Sequence, residues 1–334
     1  MSVFIPKDYV SKLSLLETQY AIKIAKDNFE KKLADKLSLF RVSAPLFVYP
    51  ETGLNDNLSG GERPVSFEIK DTKKYAEIVH SLAKWKRYAL GKYKISCYNG
   101  IYTDMNAIRR DEELDNLHSI YVDQWDWEKV ISKKDRTKEY LMEEVVKIAE
   151  ALSETKEILL KKYKQLSFPI TSEVFFITSE ELLKMYPNNT PRERENLICE
   201  KMNTVFIIGI GDKLSNGQSH DNRAPDYDDW SLNGDLLIWH PLLQVGVELS
   251  SMGIRVDKEA LVNQCEMANS LDRLKLSFHK SILDDLLPLS IGGGIGQSRL
   301  CLVLLEKIHI GEVQASIWSE EDMSTFIKNQ LNIL

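Results

Sequence analysis

Cysteine is scarce in this chain of 334 residues. Its four copies, Cys97, Cys199, Cys265 and Cys301, lie far apart and form no Cys-x-x-Cys pair. That excludes a zinc ribbon and a disulfide scaffold, and a reducing, cytoplasmic setting is expected. Positive charge is in deficit: 43 Lys and Arg stand against 50 Asp and Glu, a net charge of −7. Such a balance lacks the basic footprint that a phosphate backbone requires, so no nucleic-acid partner is expected. Long apolar runs are missing as well. The most apolar stretch, VFIIGIG (205–211), is far short of the roughly 20 residues that span a bilayer, and MSVFIPKDYV holds no signal-peptide core. No membrane partner is expected.

What is present suits a globular protein: 43% hydrophobic and 28% charged residues. No repeat, low-complexity tract or Pro/Ser-rich linker divides the chain. Apolar residues at three- and four-residue steps predict a helix over 18–37, with Thr18 as N-cap, and a second over 135–165. Strands are expected at 39–47, 116–130, 173–178, 204–209, 234–241 and 245–256, helices at 257–269 and 271–285, and a last helix from about 296. Strands on both sides of inserted helices, without regular βαβ alternation, argue for an α+β fold with a mostly antiparallel central sheet flanked by helices. One catalytic domain over 1–334, with a helical insertion around 135–202, is the expected organisation.

Six constellations can carry chemistry. IGGGIGQSRL (291–300) packs glycines before an apolar helix, which by composition alone reads as a tight turn and helix start. It lacks the Lys-Ser/Thr of a P-loop and the third glycine of a dinucleotide fingerprint. Gly294, Gly296 and Arg299 remain, an arginine one turn into a helix that can lie on a base or reach a phosphate. In AIRRDEELD (107–115), Arg109 offers a bidentate fork to a phosphate, although such charge runs are usually solvated loops. The carboxylates of DYDDW (226–230), Asp235 and Glu248 repel one another unless cations lie between them. Asp235 and Glu248 fall on two adjacent strands and suit Mg²⁺ beside a triphosphate. In VDQWDWE (122–128) the period of two places Gln124 and Asp126 on one face, where they can hold an ammonium group. Lys86, in HSLAKWKR (80–87), can meet a carboxylate, and Asp56 sits in the turn-prone NDNLSG (55–60).

Taken together, DNLSG, VHSLAKWKR, LHSIYVDQWDWE, RAPDYDDWS, LNGD, ELSSMGIRVD and GGGIGQSRL resemble, in colinear order from about residue 20 onward, the ammonia-dependent asparagine synthetases (A-type aspartate–ammonia ligases). The resemblance implies the catalytic fold of class II aminoacyl-tRNA synthetases and a homodimer. It implies a ligase taking L-aspartate, ammonia and ATP through a β-aspartyl-adenylate to L-asparagine, AMP and pyrophosphate. By the same resemblance Arg109 grips the α-phosphate and Arg299 lies against adenine, while Asp235 and Glu248 hold Mg²⁺ and ATP. Gln124 and Asp126 hold the substrate's α-ammonium, Lys86 and Arg255 meet its carboxylates, and Ser81 and Ser251 lend hydroxyls. Asp56 and Asp228 line the entry of ammonia.

Two other readings compete: an aspartyl- or asparaginyl-tRNA synthetase-like enzyme, and a non-catalytic sensor of amino acid or AMP. The net charge of −7 disfavours the first. The joint presence of Arg109, Arg299, Asp235 and Glu248 disfavours the second. No cysteine lies in a nucleophile motif of the kind glutamine hydrolysis needs, so free ammonia is the expected nitrogen source.

Overall fold

A computed structural model describes residues 3–56 and 62–334. Residues 57–60 of the NDNLSG turn lie outside them. The first helix, α1 (Leu15–Leu37), starts one turn earlier than its apolar spacing predicts. Its N-cap is Ser14, joined to Glu17 in a reciprocal capping box, while Thr18 is buried and donates its hydroxyl to the Ser14 carbonyl. Leu15 and Leu16 in that first turn are exposed, so no apolar period marks them. Downstream, Ala21, Ala25, Phe29, Leu33 and Leu37 form one buried stripe, as expected.

Short strands β1 (Leu39–Arg41) and β2 (Phe47–Val48) replace the single strand expected at 39–47. Then come β3 (Ser66–Ile69), β4 (Lys74–Ile78), α2 (Ala83–Tyr93), β5 (Gly100–Ile108) and β6 (Tyr121–Val130). The strand expected from 116 begins only at 121 because the Asp115 carboxylate ties the Leu117 and His118 N–H groups into a turn. Helix α3 (Lys138–Lys162) is followed by β7 (Phe175–Thr178), α4 (Ser179–Met185), α5 (Pro191–Met202) and β8 (Thr204–Ile208). Long strands β9 (Asp228–His240) and β10 (Val245–Arg255) precede α6 (Lys258–Met267) and α7 (Ser277–Leu283). The glycine run is itself a strand, β11 (Ser290–Gly296), which leads into α8 (Gln297–Leu304). A further helix, α9 (Glu320–Lys328), follows where α8 was expected to be the last.

Eight strands form the main sheet in the order β1-β5-β6-β11-β10-β9-β8-β7. Its edge pairs β1/β5 and β7/β8 are parallel and the rest antiparallel. A small sheet, β2-β4-β3, lies apart from it. On one face Trp125, Trp127, Phe206, Met252, Ile291 and Ile295 pack beneath α1, α3 and α8 in the main core. On the opposite face α2 covers Ile101 and Met105, and α4 and α5 cover Val205, Ile207 and Leu237. Between these covered zones the middle strands present polar side chains, and there the cleft opens. No helix among the described residues is long and apolar enough to cross a membrane.

Two histidines are folded into apolar surroundings. Burial lowers His240 and His309 to about 4. In each, Nδ1 accepts a backbone N–H, from Leu243 and Gly311 respectively, so protonation breaks that bond. The unfolded chain takes up the proton near the ordinary value of about 6.5, so stability is full above that and is lost as pH falls toward 4. Each histidine is expected to contribute a loss of stability between about pH 6.5 and 4 of up to ~1.4 kcal/mol per pH unit, read as the difference in thermal midpoint between the parent and a variant lacking it. His309→Asn, which keeps an acceptor for the Gly311 N–H, is expected to flatten the slope; an unchanged slope contradicts the assignment.

Candidate active site

The cleft occupies about 290 Å³ above the middle of the sheet. Its floor is β11. A side chain at Gly292 would overlap the Glu128 carboxylate, and one at Gly294 would stand 2.5 Å from Gln124 Oε1 and 2.9 Å from Asp126 Oδ1. The run therefore works by leaving space for its neighbours' side chains in the centre of a sheet, and not as the turn its composition suggests. In that space Arg255 grips Glu128 with Nε at 3.0 Å and Nη2 at 2.7 Å, and donates Nη1 to Asp228. Ser290 Oγ adds a bond to Glu128 at 2.7 Å. Glu128, Asp228 and Arg255 are all at least 98% buried. Burial pushes Asp228 above the usual carboxylate range, against the opposing pull of Arg255 and Arg223.

One cluster lies over α2. Lys86 Nζ donates to the Gly293 carbonyl at 2.8 Å and lies 3.3 Å from Asp126 Oδ2. Burial lowers the Lys86 pKa and Asp126 draws it back up. Asp126 Oδ2 also accepts the Leu82 N–H, whereas Oδ1 is buried with no hydrogen-bond partner; Asp126 and Gln124 both line the cleft. Ser81 Oγ donates to Asp56 Oδ2 at 3.0 Å.

A second cluster gathers around Glu248. Arg299 Nη1 is 3.7 Å from its carboxylate, and Arg109, which follows β5, has a buried Nε without a partner. Removal from water raises Glu248, but Arg299, Arg223, His118 and Arg109 together hold it below its ordinary value. A β-bulge between Glu248 and Ser250 lets Glu248 and Ser251 share the cleft face despite their odd spacing.

All the residues given a role from the sequence line this one cleft except Asp235; of the DYDDW carboxylates only Asp228 lines it, and Asp226 and Asp229 do not. Asp235 lies behind Arg223, whose Nη2 holds both its oxygens at 2.7 and 2.9 Å while Nη1 donates to Ser251 Oγ. Expected as a free metal and ATP ligand, it is engaged by a guanidinium. Burial and the facing Glu248, Asp221 and Glu195 carboxylates nonetheless raise it to about 7 against the pull of Arg223. Asp235 and Glu248 are thus a mutually repelling oxygen-donor pair of the kind a divalent cation relieves. Among the described residues no group of three His, Cys, Asp or Glu gathers as a metal cage.

A family model described as aspartate–ammonia ligase matches residues 16–330. The chain belongs to that family. It is 58% identical to an aspartate–ammonia ligase of Clostridium tetani over 96% of this chain and 94% of the relative. The Fusobacterium nucleatum aspartate–ammonia ligase is 57% identical over 94% and 95%. Among solved structures, an asparaginyl-tRNA synthetase of Entamoeba histolytica in complex with asparaginyl-adenylate superposes with a TM-score of 0.65 at 14% identity. That match covers 90% of this chain and 66% of the synthetase. The Pyrococcus horikoshii asparaginyl-tRNA synthetase, with the same adenylate, gives 0.59 at 15% identity over 90% and 70%. At such identities the likeness is one of fold: the α+β architecture expected above is that of the class II synthetase catalytic domain.

Arg223 and Tyr227, which line this ligase-family cleft, and Glu128, which holds Arg255, are among the residues with no role assigned from the sequence. Glu128 continues the period of two from Gln124 and Asp126, so the same alternation signals it. Arg223 opens RAPDYDDW, where an arginine beside an acidic run is its only mark. Tyr227, over whose ring Arg255 stands at 5.8 Å, has no local signal at all.

Gly292→Ala is expected to cost about 1–3 kcal/mol through overpacking against Glu128 and Arg255, read as a lower urea midpoint. Gly296→Ala meets only the Arg299 stem, at 3.5 Å or more, and is expected to leave the midpoint near that of the parent. Equal losses in the two variants contradict this account of the floor.

Proposed function

We propose that this chain makes L-asparagine from L-aspartate, ammonia and ATP, releasing AMP and pyrophosphate. The observation that carries the reading is the shared cleft: a buried, unpartnered Asp126 oxygen beside Gln124, and Arg109 and Arg299 converging on Glu248. The first group suits an α-ammonium, the second a nucleotide. Lys86 has one N–H left beyond Gly293 and Asp126, and Arg255 two beyond Glu128 and Asp228, so both can still meet substrate carboxylates. Ser81 and Ser251 add hydroxyls at the rim.

The β-carboxylate of aspartate attacks the α-phosphorus of ATP and pyrophosphate leaves. Positioning and charge neutralisation supply most of the acceleration, with Arg109 on the α-phosphate and Arg299 against adenine above Gly294 and Gly296. Glu248, with Asp235 behind Arg223, would hold magnesium, which would neutralise triphosphate charge. Ammonia then attacks the acyl carbon of the mixed anhydride and AMP departs. Ammonia is largely protonated at neutral pH, so Asp56 draws in the ammonium ion and accepts its proton to free the nucleophile, with Asp228 completing the acidic entry. The same reading carries one catalytic domain with the 135–202 segment as its insertion, a homodimer, and a cytoplasmic location. The tRNA synthetase reading rests on fold likeness alone.

Purified protein given aspartate, MgATP and either ammonium or glutamine is expected to form asparagine and equimolar AMP with ammonium only. ADP as the product contradicts the reading. Asp56→Ala is expected to keep aspartate-dependent ATP–pyrophosphate exchange while amide formation falls about 10²-fold or more. Loss of exchange as well removes Asp56 from the ammonia step.

A further inference from the structure

Asp226 is absent from the cleft lining, yet its carboxylate is 0% exposed and gathers three basic side chains. His279 Nε2, on α7, reaches Oδ2 at 2.8 Å, Lys84 Nζ, on α2, lies 2.7 Å from the same oxygen, and Arg273 Nη1 lies 3.2 Å from Oδ1. Burial alone raises a carboxyl, but Lys84, His279 and Arg273 hold this one well below the ordinary carboxylate range. It therefore stays charged, and the charge has a mechanical use. Lys84, 3% exposed, also donates to the Asn55 carbonyl at 3.2 Å. One ammonium thus joins the residue before Asp56 to the residue two before Asp228. Gly53, in the same segment as Asp56, packs against the element carrying His279: a Cβ there would stand 2.9 Å from Leu276 Cβ and 3.3 Å from His279 Nδ1.

We propose that Asp226, acting through Lys84, is a positioning residue for the ammonia-using half of the reaction, fixing Asp56 relative to Asp228. This rests on the reading that those two acids line the ammonia entry. Neither Asp226 nor Lys84 touches the nucleotide-side cluster around Glu248, so a fault in the clasp is felt in the second half-reaction and not in the first.

The test uses the full chain and two readouts, aspartate-dependent ATP–pyrophosphate exchange without ammonium, and asparagine formation against ammonium concentration. Lys84→Met keeps the stem and leaves Asp226 its His279 and Arg273 partners. It is expected to hold exchange within about threefold while the KM for ammonium rises about tenfold or more. Arg273→Met, at a partly exposed side chain, is expected to shift the same KM by about two- to fivefold with exchange unchanged. Should Lys84→Met fail to fold, Arg273→Met decides. Parallel loss of both half-reactions, the mark of a merely structural cluster, overturns the proposal, and so does no change in either. A wild-type chain without aspartate-dependent exchange overturns the functional reading and this inference with it; an exchange-competent wild type with unselective variants overturns this inference alone.

Discussion

Arg255 is shared by two buried carboxylates, Glu128 on β6 and Asp228 on β9, across a strand with no side chain to fill the gap between them. Charges of this kind are tolerated in a protein interior only when paired and hydrogen-bonded, and removing one partner typically costs about 3–5 kcal/mol. The pairing ties β6, β10 and β9 in one register, with the glycine strand β11 between the first two, and it does so directly beneath the cleft. Asp126 sits one step along the same register, opposite Gly294, and Lys86 reaches it from α2.

The consequence for chemistry is preorganisation. An adenylate-forming reaction asks the protein for geometry and charge compensation more than for covalent help. Here the cations and anions are already desolvated and held by partners on rigid strands. Among the described residues Asp126 Oδ1 and Arg109 Nε are buried without a hydrogen-bond partner, and the proposed reading supplies ligand atoms for both. Arg223 plays a complementary part: by holding Asp235 it keeps two repelling carboxylates compatible with the fold.

Much of this arrangement is legible in the sequence where local periodicity governs it. The alternation in VDQWDWE separates Gln124 and Asp126 from the core tryptophans, and the stripe Ala21–Phe29–Leu37 marks α1. Legibility fails where partners distant in the chain decide. The glycine run reads locally as a turn, because only β6 and β10 on either side reveal that the missing side chains make room for Glu128 and Arg255. Asp235 looks like an open ligand until Arg223, twelve residues earlier, is brought across it. The Glu248 bulge likewise has no local signature, since two strands must pair before one can slip.

The central claim is that the cleft joins the aspartate β-carboxylate to the α-phosphorus of ATP. Aspartate labelled with ¹⁸O in both β-carboxyl oxygens tests it most directly. Mass spectrometry of the products is predicted to find one ¹⁸O in the phosphate of AMP and one in the amide of asparagine. Label recovered in inorganic phosphate, or AMP free of label, would contradict the account.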